Sequence, residues 1–404
     1  MRPPVPLSRT RMIVAISDFQ DGWPPADTPE PDVDLLRQHW HDGALGPAPG
    51  PAGRPAGPVA VEGGYLERLP LACVASGLVD AAEIWHHWRP DTPAPFGRDS
   101  DVLARRAFRL GDATPPFRSN SMLGFVEAFG APHILCAWGL GVDAALLDAC
   151  ANSFKIYNSI DAPALRVPPE VSGRFDLVLT AAAWQSAVVR ERHPDMPCAV
   201  LPIGPDFADP DTFRPLGREK PYDVVYVAAA QPYKRHDILF DALARAPRRL
   251  RALCVFGYGH MADDLRREAA ERNLDVSFVG PPGVGFAEVN RLMNLARVGV
   301  VCGVDDGGPA ILTEYMLAGL PVLANAQLSC GLQYIRPDTG RAAAAEDFAA
   351  ALVALIDAAP AMDPRAAVLA EWAWPHSVAR LRALMAEFPK ARSLGFDPDR
   401  PLRP

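Results

Sequence analysis

The strongest constraint on how this chain folds is an alternation in its second half. Short, apolar, β-prone runs recur at Asp223–Ala228, Leu253–Phe256, Val276–Val279, Val298–Cys302 and Val322–Asn325. Between them lie segments of helical character, Asp237–Ala244, Met261–Arg272, Phe286–Ala296 and Ala310–Ala318. Strands apolar on both faces, each followed by a helix, predict a parallel α/β sheet wound on both sides. The first half repeats the theme less cleanly. Its expected strands are Met12–Ser17, Ala82–His86, Ile134–Ala137, Lys155–Asn158, Leu177–Thr180 and Ala199–Ile203. A hinge is expected near Pro205–Gly217, a Pro- and Asp-rich stretch between the two patterns. Further helices are expected at about 346–357, 363–372 and 376–387, and 389–404 reads as a polar tail. Residues 46–58 hold five prolines and four glycines, which forbids a helix or inner strand and predicts a surface loop.

Composition removes several function classes. A net charge of −8 leaves no electrostatic footprint for nucleic acid. No apolar run reaches the roughly 20 residues that span a bilayer, and peripheral membrane contact is not indicated. The N-terminus lacks the apolar stretch of a secretory signal, so a cytoplasmic protein is expected. Seven cysteines lie far apart without a C-x-x-C pair, which favours buried thiols over a disulfide framework or zinc site. The nine histidines are dispersed, and no metal-ligand spacing appears.

In open α/β sheets, ligands bind beyond the carboxyl ends of the strands. Five consecutive strand exits here carry turn or charged residues: Gln231–His236, Gly257–Gly259, Gly280–Gly285, Gly303–Pro309 and Ser329–Gly331. The fourth is the richest. Pro309 suits the first position of a helix and Gly319 its stop, so the expected helix Ala310–Ala318 follows a Gly-Gly loop directly. Free backbone N–H groups behind flexible glycines form an anion site. Asp305 and Asp306 either cap this helix or accept hydrogen bonds from sugar hydroxyls. Glu314 lies about one and a half turns in, as a surface residue or a ligand-binding one. Lys234 is one of only four lysines against 36 arginines. At a strand exit its compact ammonium suits a diphosphate, beside the plainer reading of a solvated loop lysine.

The run DGGPAILTEYMLAGLPV from Asp306 to Val322 resembles the E-x7-E motif of the family 4 retaining glycosyltransferases, among the group 1 glycosyltransferases. Asp306 replaces the first glutamate and Glu314 supplies the second. Val200–Gly204 with Asp211–Pro215, Phe175–Thr180, Val255–Gly259 and Trp372–Leu384 resemble other segments of that family, so the likeness covers about 130–388. It implies a GT-B architecture, two Rossmann-like doubly wound domains facing across a cleft. The domains would be an acceptor-side one at 1–205 and a nucleotide-sugar-binding one at 206–372. A helix at 373–388 would return to the first, leaving 389–404 as a tail.

The resemblance also implies site roles. Glu314 would bind the ribose hydroxyls and Lys234 the diphosphate. Asp306 with Gly307, Gly308, Pro309, Ala310 and Ile311 would hold the transferred sugar and phosphate, flanked by Gly257, with Gly283 in a loop near the base. Ala229 stands where the family usually has an arginine, so either Arg235 substitutes for it or phosphate binding is weaker. Ser17–Gly22 replaces a Gly-Gly loop, and Cys136-Ala137-Trp138 replaces an H-x-H. Asp18, His133 and Asp161 are candidates for acceptor contact, each with a structural role equally open. The implied activity is metal-independent transfer of a hexose-type sugar with retention, from a nucleotide diphosphate sugar to a hydroxyl acceptor. UDP-sugar is the first expectation and no cofactor is required. Sugar-nucleotide epimerases or phosphorylases, and a catalytically silent binding protein, remain alternatives on the same plan.

Overall fold

The computed structural model describes residues 11–16, 58–88, 96–111, 114–159 and 161–396. Asp18 and nearly all of the 46–58 loop lie outside them. The chain divides into two compact units, one running to Ile203 and resuming at Ser377, the other spanning Gly204–His376.

Among the described residues the first unit has eight strands: β1 (Met12–Ile16), β2 (Ala81–Trp88), β3 (Phe96–Arg98), β4 (Leu103–Arg109), β5 (Ile134–Trp138), β6 (Phe154–Ser159), β7 (Leu177–Thr180) and β8 (Cys198–Val200). They lie in the order β3-β4-β2-β1-β5-β6-β7-β8, parallel except for β3 against β4. Strands β3 and β4 are additions to the expected set. An arginine-rich run fails an apolar-strand template, but here Arg105 and Arg106 are neutralised within the fold. Arg106 Nε and Nη2 donate to the Glu83 carboxylate of β2 at 2.6 and 2.8 Å, and Trp85 Nε1 donates to it at 2.8 Å. With every strong group bonded, the pair is buried without an orphaned charge. Arg105 bridges Glu67 and Asp99 at 2.6 and 2.7 Å.

Residues 389–396, the described part of the expected tail, are folded. Pro389–Ser393 is a helix, and Ala391 and Phe396 are buried. Proline at the first helical position pre-sets its backbone. Phe388 packs edge-on to Phe154 with centroids 5.1 Å apart, and Lys390 Nζ pairs with Asp176 at 2.8 Å.

The second unit carries six parallel strands: β9 (Tyr222–Val227), β10 (Arg251–Val255), β11 (Asp275–Val279), β12 (Ala296–Val301), β13 (Val322–Asn325) and β14 (Gly340–Ala343). Their order is β11-β10-β9-β12-β13-β14. Along β9 successive side chains alternate between two cores. Val224 and Tyr226 join Phe240, Leu265 and Phe348 on one face, and Val225 joins Leu292, Leu312 and Val368 on the other. Helices therefore cover both faces, as fully apolar strands require. Strand β14, sequence GRAA, is a further addition. It lacks β-branched residues, and Gly340 lies so close to β13 that a Cβ there would sit 2.0 Å from the Val322 oxygen.

Candidate active site

Counted within its unit, the second sheet runs 3-2-1-4-5-6, the Rossmann order, and it reverses between β9 and β12. From β9 the chain goes on to β10 on one side, and from β12 to β13 on the other. The two exits diverge and leave a crevice at the carboxyl edge, where such sheets bind ligands. The residues singled out as Lys234 and Asp306 lie on these two exits.

Two tyrosine hydroxyls brace the divergence. Tyr226 Oη, from β9, donates to the Lys234 carbonyl at 2.6 Å and accepts the Cys302 N–H at 3.4 Å. Tyr315 Oη accepts the Val227 N–H at 2.7 Å. Strand ends that part company leave backbone groups without ladder partners, and buried ones must be satisfied. Both phenols are held well above their ordinary pKa, chiefly by burial, so both keep their protons. Neither tyrosine stood out in the sequence, where each reads as ordinary β-prone or helix-packing apolar surface. The signal available was Gly299 on β12, whose Cβ would fall 2.5 Å from the Tyr315 ring.

Lys234 Nζ forms an ion pair with Asp306 Oδ2, the side chains only 15% and 12% exposed. The ammonium also lies 4.9 Å from the Tyr233 ring centroid. Gly303 lets the two exits approach, since a Cβ there would meet the Tyr233 oxygen at 3.1 Å and Asp306 Oδ2 at 3.5 Å. The two acids part company: Asp305 is exposed and Asp306 buried.

The helix after the Gly-Gly loop is Ile311–Leu317, with Ala310 at its cap. Pro309 therefore precedes the helix instead of occupying its first turn, a correction of two residues. Its stop is as expected. Gly319, at φ +83°, donates to the Met316 oxygen, and Leu320 donates to that of Tyr315. This pairing closes a helix through a left-handed glycine. Glu314 is 7% exposed, which excludes the solvated surface role. Thr313 Oγ1 donates to the Pro205 oxygen at 2.8 Å, fixing the helix that bears Glu314.

Gly257 and Gly283 meet directly: a Cβ at 283 would come within 3.0 Å of the Gly257 Cα. The exits of β10 and β11 thus lie against each other one strand away from the crevice. Arg235 is turned aside. Its guanidinium pairs with Asp237 at 2.8 Å, and that hydrogen bond raises its pKa.

In the first unit the candidates separate. His133 lies at the amino edge of the sheet, where its backbone bonds Met12 and Phe154 and its Nδ1 accepts the Met12 N–H at 3.4 Å. Burial and nearby Arg11 lower its pKa. This is the edge opposite the ligand-binding one, so the structure removes it from the acceptor candidates. Asp161 follows β6 at the carboxyl edge. Its carboxylate pairs with Arg166 at 3.4 Å, and its backbone oxygen accepts from buried Gln185 at 2.5 Å. Asn158, near the end of β6, is fully buried with neither amide atom hydrogen-bonded among the described residues. Among the described residues no cluster of His, Cys, Asp or Glu could hold a metal ion, and no helix is long and apolar enough to cross a membrane.

Residues 209–371, within the second unit, match the family described as "Glycosyl transferases group 1". No curated protein matches the chain. Among solved structures it is similar to HepE of Anabaena in complex with UDP and glucose, at 14% identity and TM-score 0.62 over 94% of this chain and 100% of that one. Sucrose-phosphate synthase from Thermosynechococcus elongatus is similar at 17% identity and TM-score 0.61, over 93% and 99%. The lipopolysaccharide outer core galactosyltransferase WaaB, in its apo form, matches at 14% identity and TM-score 0.55, over 93% and 99%. At these identities the likeness is one of fold, and the fold is GT-B.

Proposed function

Since residues 209–371 match the group 1 glycosyl transferases and the fold is GT-B, we propose that the protein transfers a hexose-type sugar from a nucleotide diphosphate sugar to a hydroxyl acceptor, with retention of configuration. One observation carries this reading. A lysine and a short acid pair at the topological switch point, the place where the sheet order alone predicts a ligand, and a buried glutamate stands on the helix that follows. UDP-sugar is the first donor to test, in keeping with the UDP and glucose bound by HepE.

In this mechanism the Glu314 carboxylate accepts hydrogen bonds from the ribose hydroxyls, and Asp306 from hydroxyls of the transferred sugar. Lys234 and the backbone of Gly307–Ile311 stabilise the departing diphosphate. The bond between the anomeric carbon and the phosphate oxygen breaks as the acceptor oxygen bonds to the same face. The acceptor's proton passes to the leaving diphosphate. The protein's part is positioning and stabilisation of a developing anion, which requires no metal. Seven separate thiols, six of them buried, support action in the reducing cytoplasm.

The test is calorimetric and kinetic: titrate UDP-, GDP-, ADP- and dTDP-sugars, then assay transfer and hydrolysis with the one that binds. Glu314→Ala should lower kcat/KM by about a hundredfold, the scale of losing charge-assisted hydrogen bonds of roughly 3 kcal/mol. Far-UV circular dichroism should not change. Full activity in that variant would sink the site assignment. Binding of nucleotide sugars without transfer to any hydroxyl compound would favour the silent-binder reading, which the Cys136-Ala137-Trp138 sequence motivates.

A further inference from the structure

We propose that Asp306 makes the site selective for the sugar-bearing donor over the free nucleoside diphosphate, by holding Lys234 until sugar hydroxyls replace it. The inference rests on the donor-site reading above and extends it to how the site treats its own product.

The ion pair between Lys234 and Asp306 is shielded from water on both sides. Removing one partner from such a pair is costly, because the other charge is left desolvated and alone. Among the described residues Asp306 has no other cation, and nearby Arg235 is committed to Asp237. Gly303 presents bare backbone to the carboxylate, 3.5 Å from where a Cβ would stand. Any ligand that draws the ammonium away must therefore supply Asp306 with new donors.

Two ligands do this unequally. A free nucleoside diphosphate attracts the Lys234 ammonium through its phosphates and offers Asp306 nothing. A nucleotide sugar attracts it equally and brings hydroxyls that donate to the carboxylate. The exchange needs only side-chain motion. The Lys234 backbone is tied down through its carbonyl by Tyr226 Oη at 2.6 Å, while its four-carbon stem is flexible. The Tyr233 ring, 4.9 Å from Nζ, supports the ammonium along the way. After transfer the sugar leaves, Asp306 loses its donors, and recapture of Lys234 loosens the diphosphate. The aspartate would thus hasten product release.

The prediction has an unusual sign. By isothermal titration calorimetry, Asp306→Asn should bind UDP about tenfold more tightly than the wild type, the scale of sparing one buried charged partner. Its affinity for UDP-glucose should not rise. Asp306→Ala should shift UDP binding in the same direction, which guards against an effect peculiar to asparagine. In a Lys234→Met background the same aspartate substitutions should change UDP affinity less than about twofold, since no ammonium remains to be freed. Unchanged or weaker UDP binding in Asp306→Asn overturns the proposal, as does equal tightening in the Lys234→Met background. A wild type that binds UDP-glucose but gains nothing from Asp306→Asn leaves the donor-site reading standing and removes this inference alone. A wild type that binds no nucleoside diphosphate and no nucleotide sugar removes both.

Discussion

At the scale of single residues, Gly299 and Tyr315 are complementary. Tyr315 follows Glu314 on the helix Ile311–Leu317. A fully buried phenol on that helix needs room in the sheet, and Gly299 provides it on β12, where a Cβ would sit 2.5 Å from ring carbons. In return the hydroxyl accepts the Val227 N–H at 2.7 Å. Gly299→Ala forces either the ring or the strand to shift, so it should destabilise the protein by about 1–3 kcal/mol, as overpacking does. The denaturant midpoint at unchanged slope measures this. Tyr315→Ala makes space for the new methyl, so the double variant should lose clearly less than the sum of the two single losses. Additive losses, or a neutral Gly299→Ala, would show that the pair is not coupled.

At the scale of elements, the site depends on two strands that diverge and on what bridges them. Tyr226→Phe removes the hydroxyl that serves the Lys234 carbonyl and the Cys302 N–H. The expected cost is about 1–3 kcal/mol of stability, the penalty for leaving buried backbone groups unpaired. Because the freed loop carries Lys234, affinity for UDP should fall several-fold more than affinity for UMP, which places less charge at the lysine. A uniform loss for both nucleotides would mean that the tyrosine supports the fold and does not position the lysine. This level also separates what was legible in the sequence from what was not. Strands such as Leu253–Phe256 announced themselves because burial on both faces leaves a purely apolar run. The arginine-bearing β4 did not, since Arg105 and Arg106 are cancelled by Glu83 and Glu67, which lie far from it in sequence, and by Asp99 just before it. The motif located Asp306 and Glu314, and scarcity located Lys234. That Lys234 and Asp306 touch across a separation of 72 residues, and that two phenols hold their loops, are products of strand order. His133 failed for the same reason: a residue beside a strand does not reveal which end of the sheet it occupies until the strand's direction is known.

At the scale of the whole molecule, each unit buries a histidine that burial keeps neutral. In the first, His86 on β2 has its pKa pushed down to about 3 by desolvation, with Arg105 and His87 adding to the effect. In the second, His236 is lowered to about 4 by desolvation and then by Lys234. His236 lies between Tyr226 and Phe256, with centroids 4.8 and 5.4 Å away, and neither ring nitrogen has a hydrogen-bond partner among the described residues. Both folded pKa values lie below the unfolded value of about 6.5. Below that pH the unfolded chain binds protons that the folded one refuses, so stability falls as the pH falls. The slope is at most about 1.4 kcal/mol per pH unit for each histidine. For the second unit it extends from about pH 6.5 down to about 4, and for the first on to about 3. His236→Phe keeps a ring of similar size between two aromatic neighbours and removes the titrating group. Hydrogen exchange of core amides, followed in each unit at pH 7 and pH 5, should then show the second unit's acid sensitivity reduced and the first unit's unchanged. If His236→Phe leaves the second unit's slope as it was, the buried imidazole is not its source.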